Sequence, residues 1–290
     1  MKNYLSLFKF SHTIFALPFA LIGFFLAFHT THGNSNFSIT YWAIKLLLIL
    51  VCMLTARNAA MAFNRYIDRK YDEKNPRTAI REIPAGIITP KNALWFIIIN
   101  CLIFIIATYF INKLCFYLSF VALAVVLGYS LTKRFTFLCH IVLGIGLALA
   151  PIGAYLAVTG KFNVLPLMFS FAVLFWVSGF DIIYALQDEQ FDRENNLYSI
   201  PSYFGQDRAK WISRTLHFFS MTCLVYAGIL GQFHFMYWTG ICIFAILLIY
   251  QHSLIIRFGL QKVDLAFFTT NGIASILFAI CTILDLLLLN

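Results

Sequence analysis

The sequence predicts an all-α, polytopic membrane protein: a single domain over residues 1–290 in which nine transmembrane helices form a bundle around a central cavity. Three observations predict it. Of 290 residues, 61% are apolar or aromatic and only 11% are charged, against about 45–50% and 25% in an ordinary soluble chain. Mean hydropathy is +0.83. A chain with 32 Phe and 14 Tyr can bury far more apolar surface than ordering it costs, which excludes intrinsic disorder. Second, apolar runs recur along the whole chain at lengths near the 20 or so residues that cross about 30 Å of hydrocarbon, so no separate soluble domain fits. Third, Lys and Arg concentrate in alternate connections between those runs, the asymmetry that fixes orientation across a bilayer.

The elements follow in order. The first run, residues 12–30, comes after Lys2 and Lys9 as a signal peptide would, yet Pro18 interrupts it and eight further runs follow, so it reads as an uncleaved first span. The second covers 41–63, and Asn75-Pro76 closes the helical pattern beyond it. The third, 92–112, is introduced by Thr89-Pro90, a capping hydroxyl with proline at the first helical position. Runs at 114–132, 135–159 and 164–187 give the fourth to sixth helices. Gly205 and Gly231 mark the breaks around the seventh, 211–232, and the eighth and ninth cover 235–256 and 265–289.

The net charge of +9 does not point to nucleic acid, because the basic residues sit in short clusters between apolar runs. The N-terminus and the connections after helices 2, 4, 6 and 8 hold nearly all of them, including seven from Arg65 to Lys91. The opposite side has only Lys113 and Lys161, with Lys45 at the start of the second helix. The N-terminus is therefore expected on the cytoplasmic side and the C-terminus outside. The seven cysteines lie mostly inside apolar runs without a CxxC pair and read as small core residues.

Ten of the twelve acidic residues fall in two windows, Asp68, Asp72, Glu73 and Glu82, and Asp181, Asp188, Glu189, Asp192, Glu194 and Asp207, both at cytoplasmic connections. Asn64, Asp68 and Asp72 recur at i, i+4 and i+8, and Asp188 and Asp192 at i and i+4, so each set shares one helix face. Like charges at that spacing repel mildly, and something must offset them. Two solvated faces balanced by nearby Arg is the bland reading. The sharper one is divalent cation binding, and oxygen ligands without clustered His or Cys favour Mg²⁺ completed by substrate phosphates. Arg65, Arg69, Lys70, Lys74, Arg77 and Arg81 accompany the first stripe, and Tyr129 and Lys133 stand one turn apart at the end of the fourth helix. Metal and direct cations together suit a diphosphate, although cytoplasmic connections are basic in any case. Arg57, two turns before Asn64 on the same face, either faces a cavity, where it could bind a carboxylate, or snorkels or pairs with an acid. His12 and Lys9 read as interfacial anchors more than as substrate contacts.

At these residues the sequence resembles the UbiA superfamily of intramembrane aromatic prenyltransferases. Its first signature is similar to Asn64-Arg-Tyr-Ile-Asp68-Arg-Lys-Tyr-Asp72, continued by Asn75-Pro-Arg-Thr78 and Arg81-Glu-Ile-Pro-Ala-Gly86. The second is similar to Asp181-Ile-Ile-Tyr184-Ala-Leu-Gln-Asp188-Glu-Gln-Phe-Asp192, and a YxxxK element stands at Tyr129 to Lys133. The resemblance covers nearly the whole chain.

It implies Mg²⁺ ions bridging the two motifs to the diphosphate of a polyprenyl donor, with Asn64, Asp68 and Asp72 at one metal and Asp188 and Asp192 at the other. Lys133 and Tyr129 would engage the diphosphate, Arg77, Arg81 and Tyr184 would belong to the substrate site, and Asp181 would support the second motif through hydrogen bonds. Catalysis is accordingly expected of Asp68, Asp72, Asp188, Asp192 and Lys133. The implied reaction is transfer of a polyprenyl group to an aromatic acid acceptor, 4-hydroxybenzoate, in quinone biosynthesis at the cytoplasmic side of a bacterial inner membrane. Dihydroxynaphthoate, which also carries a carboxylate and a phenol, is the alternative acceptor. A secondary transporter would place its acids near the bilayer midplane, and a CDP-alcohol phosphotransferase would gather them in one Gly-containing motif; neither pattern is present.

Overall fold

The structure is a computed structural model that describes residues 13–32 and 38–289, so His12 and Lys9 lie outside the described residues. No strand occurs among them. Among the described residues nine helices have 18 residues or more. They are α1 (Thr13–His32), α2 (Ile39–Lys74), α3 (Pro90–Ile111), α4 (Lys113–Thr132), α5 (Cys139–Thr159), α6 (Val164–Ala185), α9 (Gln206–Leu230), α10 (Phe235–Phe258) and α11 (Asn271–Leu288). Two short helices, α7 (Glu189–Glu194) and α8 (Ile200–Phe204), lie between α6 and α9.

Among the described residues seven segments are long and apolar enough to cross a membrane. The two that fall short differ for separate reasons. The apolar stretch of α1 is the shorter Phe15–Thr31, and α9 carries Asp207, Arg208, Lys210 and Arg214 in its first turns, which leaves a reduced apolar remainder. Large apolar side chains are exposed along the outer faces, among them Ile99, Leu102, Ile106 and Phe110 on α3 and Ile246 and Ile249 on α10, as expected where the surroundings are lipid.

Helix α2 is the longest at 36 residues, about 54 Å at 1.5 Å per residue, well beyond the hydrocarbon thickness. No Gly or Pro interrupts residues 39–75, so the helix runs past the predicted end near residue 63 and carries the whole Asn64–Asp72 stripe as its terminal turns. It stops where Pro76 cannot continue it: Asn75 is the C-cap, its N–H bonded to Tyr71 O at 3.1 Å. Thr89 caps α3 through its hydroxyl, which accepts from Asn92 N–H at 3.3 Å, with Pro90 first in the helix as the sequence indicates.

Helix α5 packs against α1, α4 and α6, α6 against α9, α10 against α9 and α11, and α11 returns to α1; α2 packs against α3 and α4. The main core lies where α1, α6, α10 and α11 meet. Phe19, Phe169, Trp176, Phe244 and Phe278 are fully buried there, and the Trp176 indole N–H is satisfied by Asn271 Oδ1 at 3.1 Å. The close contact of α5 with α6 depends on Gly144: a Cβ there would stand 2.3 Å from Ser178 Oγ and 2.6 Å from Leu174 O.

Past Ala185 the α-helix tightens into a 3₁₀ turn, Leu186–Asp188, before α7 resumes. Asp188 and Asp192 therefore do not ride one continuous helix face as their spacing suggests; they sit on either side of a change in helical pitch. A π-helical stretch, Leu265–Thr270, likewise precedes α11 and brings Phe267 against Tyr184, ring centroids 4.2 Å apart.

Candidate active site

Arg57 and the eleven residues that the resemblance assigns to the site line one cavity of about 840 Å³ that runs from the two acidic windows down between the helices to Ile111, Cys115 and Phe162, whereas Arg69, Lys70 and Lys74 do not reach it. Its two ends differ chemically. One holds the Asp, Arg and Lys side chains, and the other is walled by apolar residues such as Ile49, Leu118, Leu147 and Ala154.

The acidic windows meet across the mouth. Arg77, in the turns after α2, donates from Nη2 to Asp188 Oδ2 at 2.6 Å and from Nε to Asp188 Oδ1 at 3.1 Å, while Asn75 Nδ2 reaches the same Oδ1 at 3.3 Å. The third Arg77 nitrogen, Nη1, donates to the Tyr184 hydroxyl at 3.1 Å. Burial alone would lower the pKa of Arg77; the Asp188 carboxylate and Tyr184 outweigh it and hold the guanidinium above its ordinary value. Arg81 Nη1 lies 2.8 and 2.9 Å from the two oxygens of Asp72. Lys133, the C-cap of α4, places Nζ 2.7 Å from Asp192 Oδ1, whose side chain is fully buried. Here too burial works to lower the ammonium pKa, and Asp192, with Asp188 behind it, raises it above the usual lysine value.

Asn64 Nδ2 donates to Asp68 Oδ2 at 3.2 Å, one helical turn away. Arg134 Nη2 bonds the other oxygen of Asp68 at 3.2 Å and Ile67 O at 2.9 Å, and Arg65 is bonded to Glu82. Arg57 is half-buried on α2 and lines the same cavity as Tyr129 and Asp181. Among the described residues Asp181 makes no hydrogen bond to Asp188 or Asp192; its partner is His140 Nδ1, on α5, at 2.6 Å.

Neither His140 nor Arg134 was marked by a motif. Arg134 stands beside Lys133 in a connection whose basic residues topology already explains, and His140 reveals itself only through a partner 41 residues away.

For Mg²⁺ the donor chemistry fits, since carboxylates and a carboxamide oxygen face one chamber. Among the described residues no group of three or more His, Cys, Asp or Glu side chains could hold a metal by itself. Mg²⁺ typically takes one or two carboxylates and fills its shell with phosphate oxygens and water.

Residues 16–273 match the UbiA prenyltransferase family. The chain belongs to that family. This prenyltransferase is 32% identical over 238 residues to a 4-hydroxybenzoate octaprenyltransferase of Tolumonas auensis, covering 82% of this chain and 83% of the relative. It is 28% identical to one from Francisella tularensis subsp. mediasiatica, over 82% and 84%. Among solved structures, a UbiA homologue from Aeropyrum pernix superposes with a TM-score of 0.83 at 27% identity, over 95% of this chain and 98% of that one. A UbiA homologue from Archaeoglobus fulgidus bound to DMAPP and Mg²⁺ shares the fold, with a TM-score of 0.73 at 21% identity over 99% and 100% of the two chains.

Proposed function

We propose that this prenyltransferase moves a polyprenyl group from a polyprenyl diphosphate to the ring of 4-hydroxybenzoate in quinone biosynthesis, with its polar chamber at the cytoplasmic side and Mg²⁺ as cofactor. What supports the reading above all is the Arg77–Asp188 contact, which sets the two acidic windows face to face at the polar end of a cavity whose other end is apolar. A diphosphate with a hydrocarbon tail has that same division. The names of the relatives and the Mg²⁺ and DMAPP bound to the Archaeoglobus homologue point the same way.

Asn64, Asp68 and Asp72 would hold one Mg²⁺ and Asp188 and Asp192 the other. When bound, the metal supplies the positive charge against which the leaving diphosphate is stabilised. The chain's own cations do related work. Arg77, Arg81 and Lys133 each rest on a carboxylate of one of the motifs, within reach of the same chamber, and can turn to phosphate oxygens as the allylic C–O bond breaks. The apolar wall keeps water from the allylic cation. Arg57 receives the acceptor carboxylate, beyond the polar rim and next to Tyr129.

The test is direct. Purified protein in lipid nanodiscs, given Mg²⁺, a polyprenyl diphosphate and 4-hydroxybenzoate, should release diphosphate and form the C-prenylated acid. Product with dihydroxynaphthoate but none with hydroxybenzoate would reassign the acceptor, and activity undiminished by chelator would remove the metal from the scheme.

A further inference from the structure

Six carboxylates line the cavity: Asp68, Asp72, Glu82, Asp181, Asp188 and Asp192. Five of them are paired with Arg or Lys: Asp68 with Arg134, Asp72 with Arg81, Glu82 with Arg65, Asp188 with Arg77 and Asp192 with Lys133. Asp181 is the exception. Its only ion-pair partner among the described residues is an imidazole, His140.

The protonation of that imidazole follows from its other contact. Ile200 N–H, at the start of α8, donates to His140 Nε2 at 3.3 Å, so Nε2 must present a lone pair. The ring proton is then on Nδ1, and the 2.6 Å contact is an Nδ1–H donated to Asp181 Oδ2. A second proton on Nε2 would set it against the Ile200 N–H. His140 is also fixed in place: its own carbonyl accepts from Ser178 Oγ at 3.1 Å, at the level where Gly144 lets α5 and α6 close together. Its side chain is 4% exposed, whereas that of Asp181 is 22% exposed on the cavity it lines. Asp181 Oδ1 makes no hydrogen bond among the described residues.

Prenylation of an aromatic ring needs such a group. The allylic C–O bond breaks and its electron pair leaves with diphosphate; a ring carbon then donates a π pair to form the new C–C bond. That carbon now carries both the prenyl chain and its original hydrogen, and aromaticity returns only when the hydrogen leaves as a proton, its bonding pair rejoining the ring. A carboxylate already neutralised by a guanidinium or ammonium is a poor acceptor for it.

We infer that Asp181 accepts the ring proton and that neutral His140 is its positioning residue, holding the carboxylate through Nδ1–H while the Ile200 backbone locks the imidazole tautomer. The inference rests on the prenyl-transfer reading above. The proton taken by Asp181 Oδ1 passes to solvent through the polar mouth of the cavity after product leaves.

The test uses the full chain in nanodiscs with Mg²⁺, a polyprenyl diphosphate, and 4-hydroxybenzoate carrying either hydrogen or deuterium at the ring positions beside the hydroxyl. Asp181→Asn should lower kcat roughly 10²–10³-fold, the range for loss of a general base, with donor binding unchanged. His140→Ala should lower kcat about 10-fold and expose a primary isotope effect absent from the wild type, because proton removal then limits the rate. His140→Asn, whose amide N–H can stand in for Nδ1–H, should recover most of the rate and suppress the isotope effect. A purely structural histidine would change rate or stability without any isotope effect, and that outcome overturns the inference. Should His140→Ala fail to fold, the isotope effect is read in Asp181→Asn, and its absence there is equally fatal. Wild-type protein that binds the donor but prenylates no aromatic acid would instead overturn the functional reading, and this inference with it.

Discussion

Replacing Lys133 by alanine tests whether the buried charge of Asp192 depends on a single partner. Lys133 Nζ is 2.7 Å from Asp192 Oδ1, and the two side chains are 32% and 0% exposed. Removing one member of a buried pair costs about 3–5 kcal/mol because the other charge is left behind. The partial exposure of Lys133 screens some of that, leaving about 2 kcal/mol, or a fall of about 4–8 °C in Tm on the scale for chains of this size. Scanning fluorimetry of the detergent-solubilised protein without substrate would measure it. The double variant Lys133→Ala/Asp192→Asn should regain most of the loss, since no uncompensated charge remains. Activity should respond differently: both variants lose about 10²–10³ in kcat, the cost of removing a cation that stabilises the leaving group, and the double variant does not recover it. A single variant as stable as wild type, or a double variant no more stable than the single, would refute the reasoning.

Four further outcomes are expected. Mg²⁺ alone should barely shift Tm, because a cation that takes one or two carboxylates needs phosphate oxygens to complete its shell, whereas Mg²⁺ with a non-hydrolysable polyprenyl diphosphate analogue should raise it by about 4 °C or more, as saturating ligand adds about 2.7 kcal/mol at 100-fold over Kd; an equal shift with the metal alone would show a preformed site. Arg57→Ala should raise the acceptor KM about 10-fold or more and leave the donor KM nearly unchanged, measured by initial rates against each substrate. Gly144→Ala should destabilise by about 1–3 kcal/mol in a thermal scan, since the new methyl meets Ser178 Oγ and Leu174 O. The raised pKa of Lys133 means its stabilising contribution is complete below the unfolded lysine value of about 10.4 and is lost as pH climbs through the folded one. The Tm difference between wild type and Lys133→Ala should therefore stay flat from about pH 6 to 9 and shrink only above about 10.4.

Much of the site was legible because charge is so scarce in this chain. Asp68, Asp72, Asp188 and Asp192 stand out against an apolar background, and a spacing of four residues places Asp68 and Asp72 on neighbouring turns of α2. The all-helical architecture was legible for the same reason, with seven segments among the described residues long and apolar enough to cross a membrane. What stayed hidden depends on partners distant in sequence or on local departures from ideal helix. Hydropathy fades near residue 63, but α2 continues to Lys74 because backbone propensity carries a helix past the edge of the bilayer. The 3₁₀ turn at Leu186–Asp188 and the π stretch at Leu265–Thr270 follow from packing, and no Gly or Pro announces either. The pairing of Asp181 with His140 joins two helices, and only their close approach at Gly144 makes it possible.

The Arg77–Asp188 contact joins residues 111 positions apart, so the chamber mouth cannot exist until the ribosome has delivered both. A nascent chain with only α1 to α5 carries the first acidic window without the Asp188 carboxylate that Arg77 engages. The mouth is complete only when α6 and the 3₁₀ turn after it dock against the turns that follow α2.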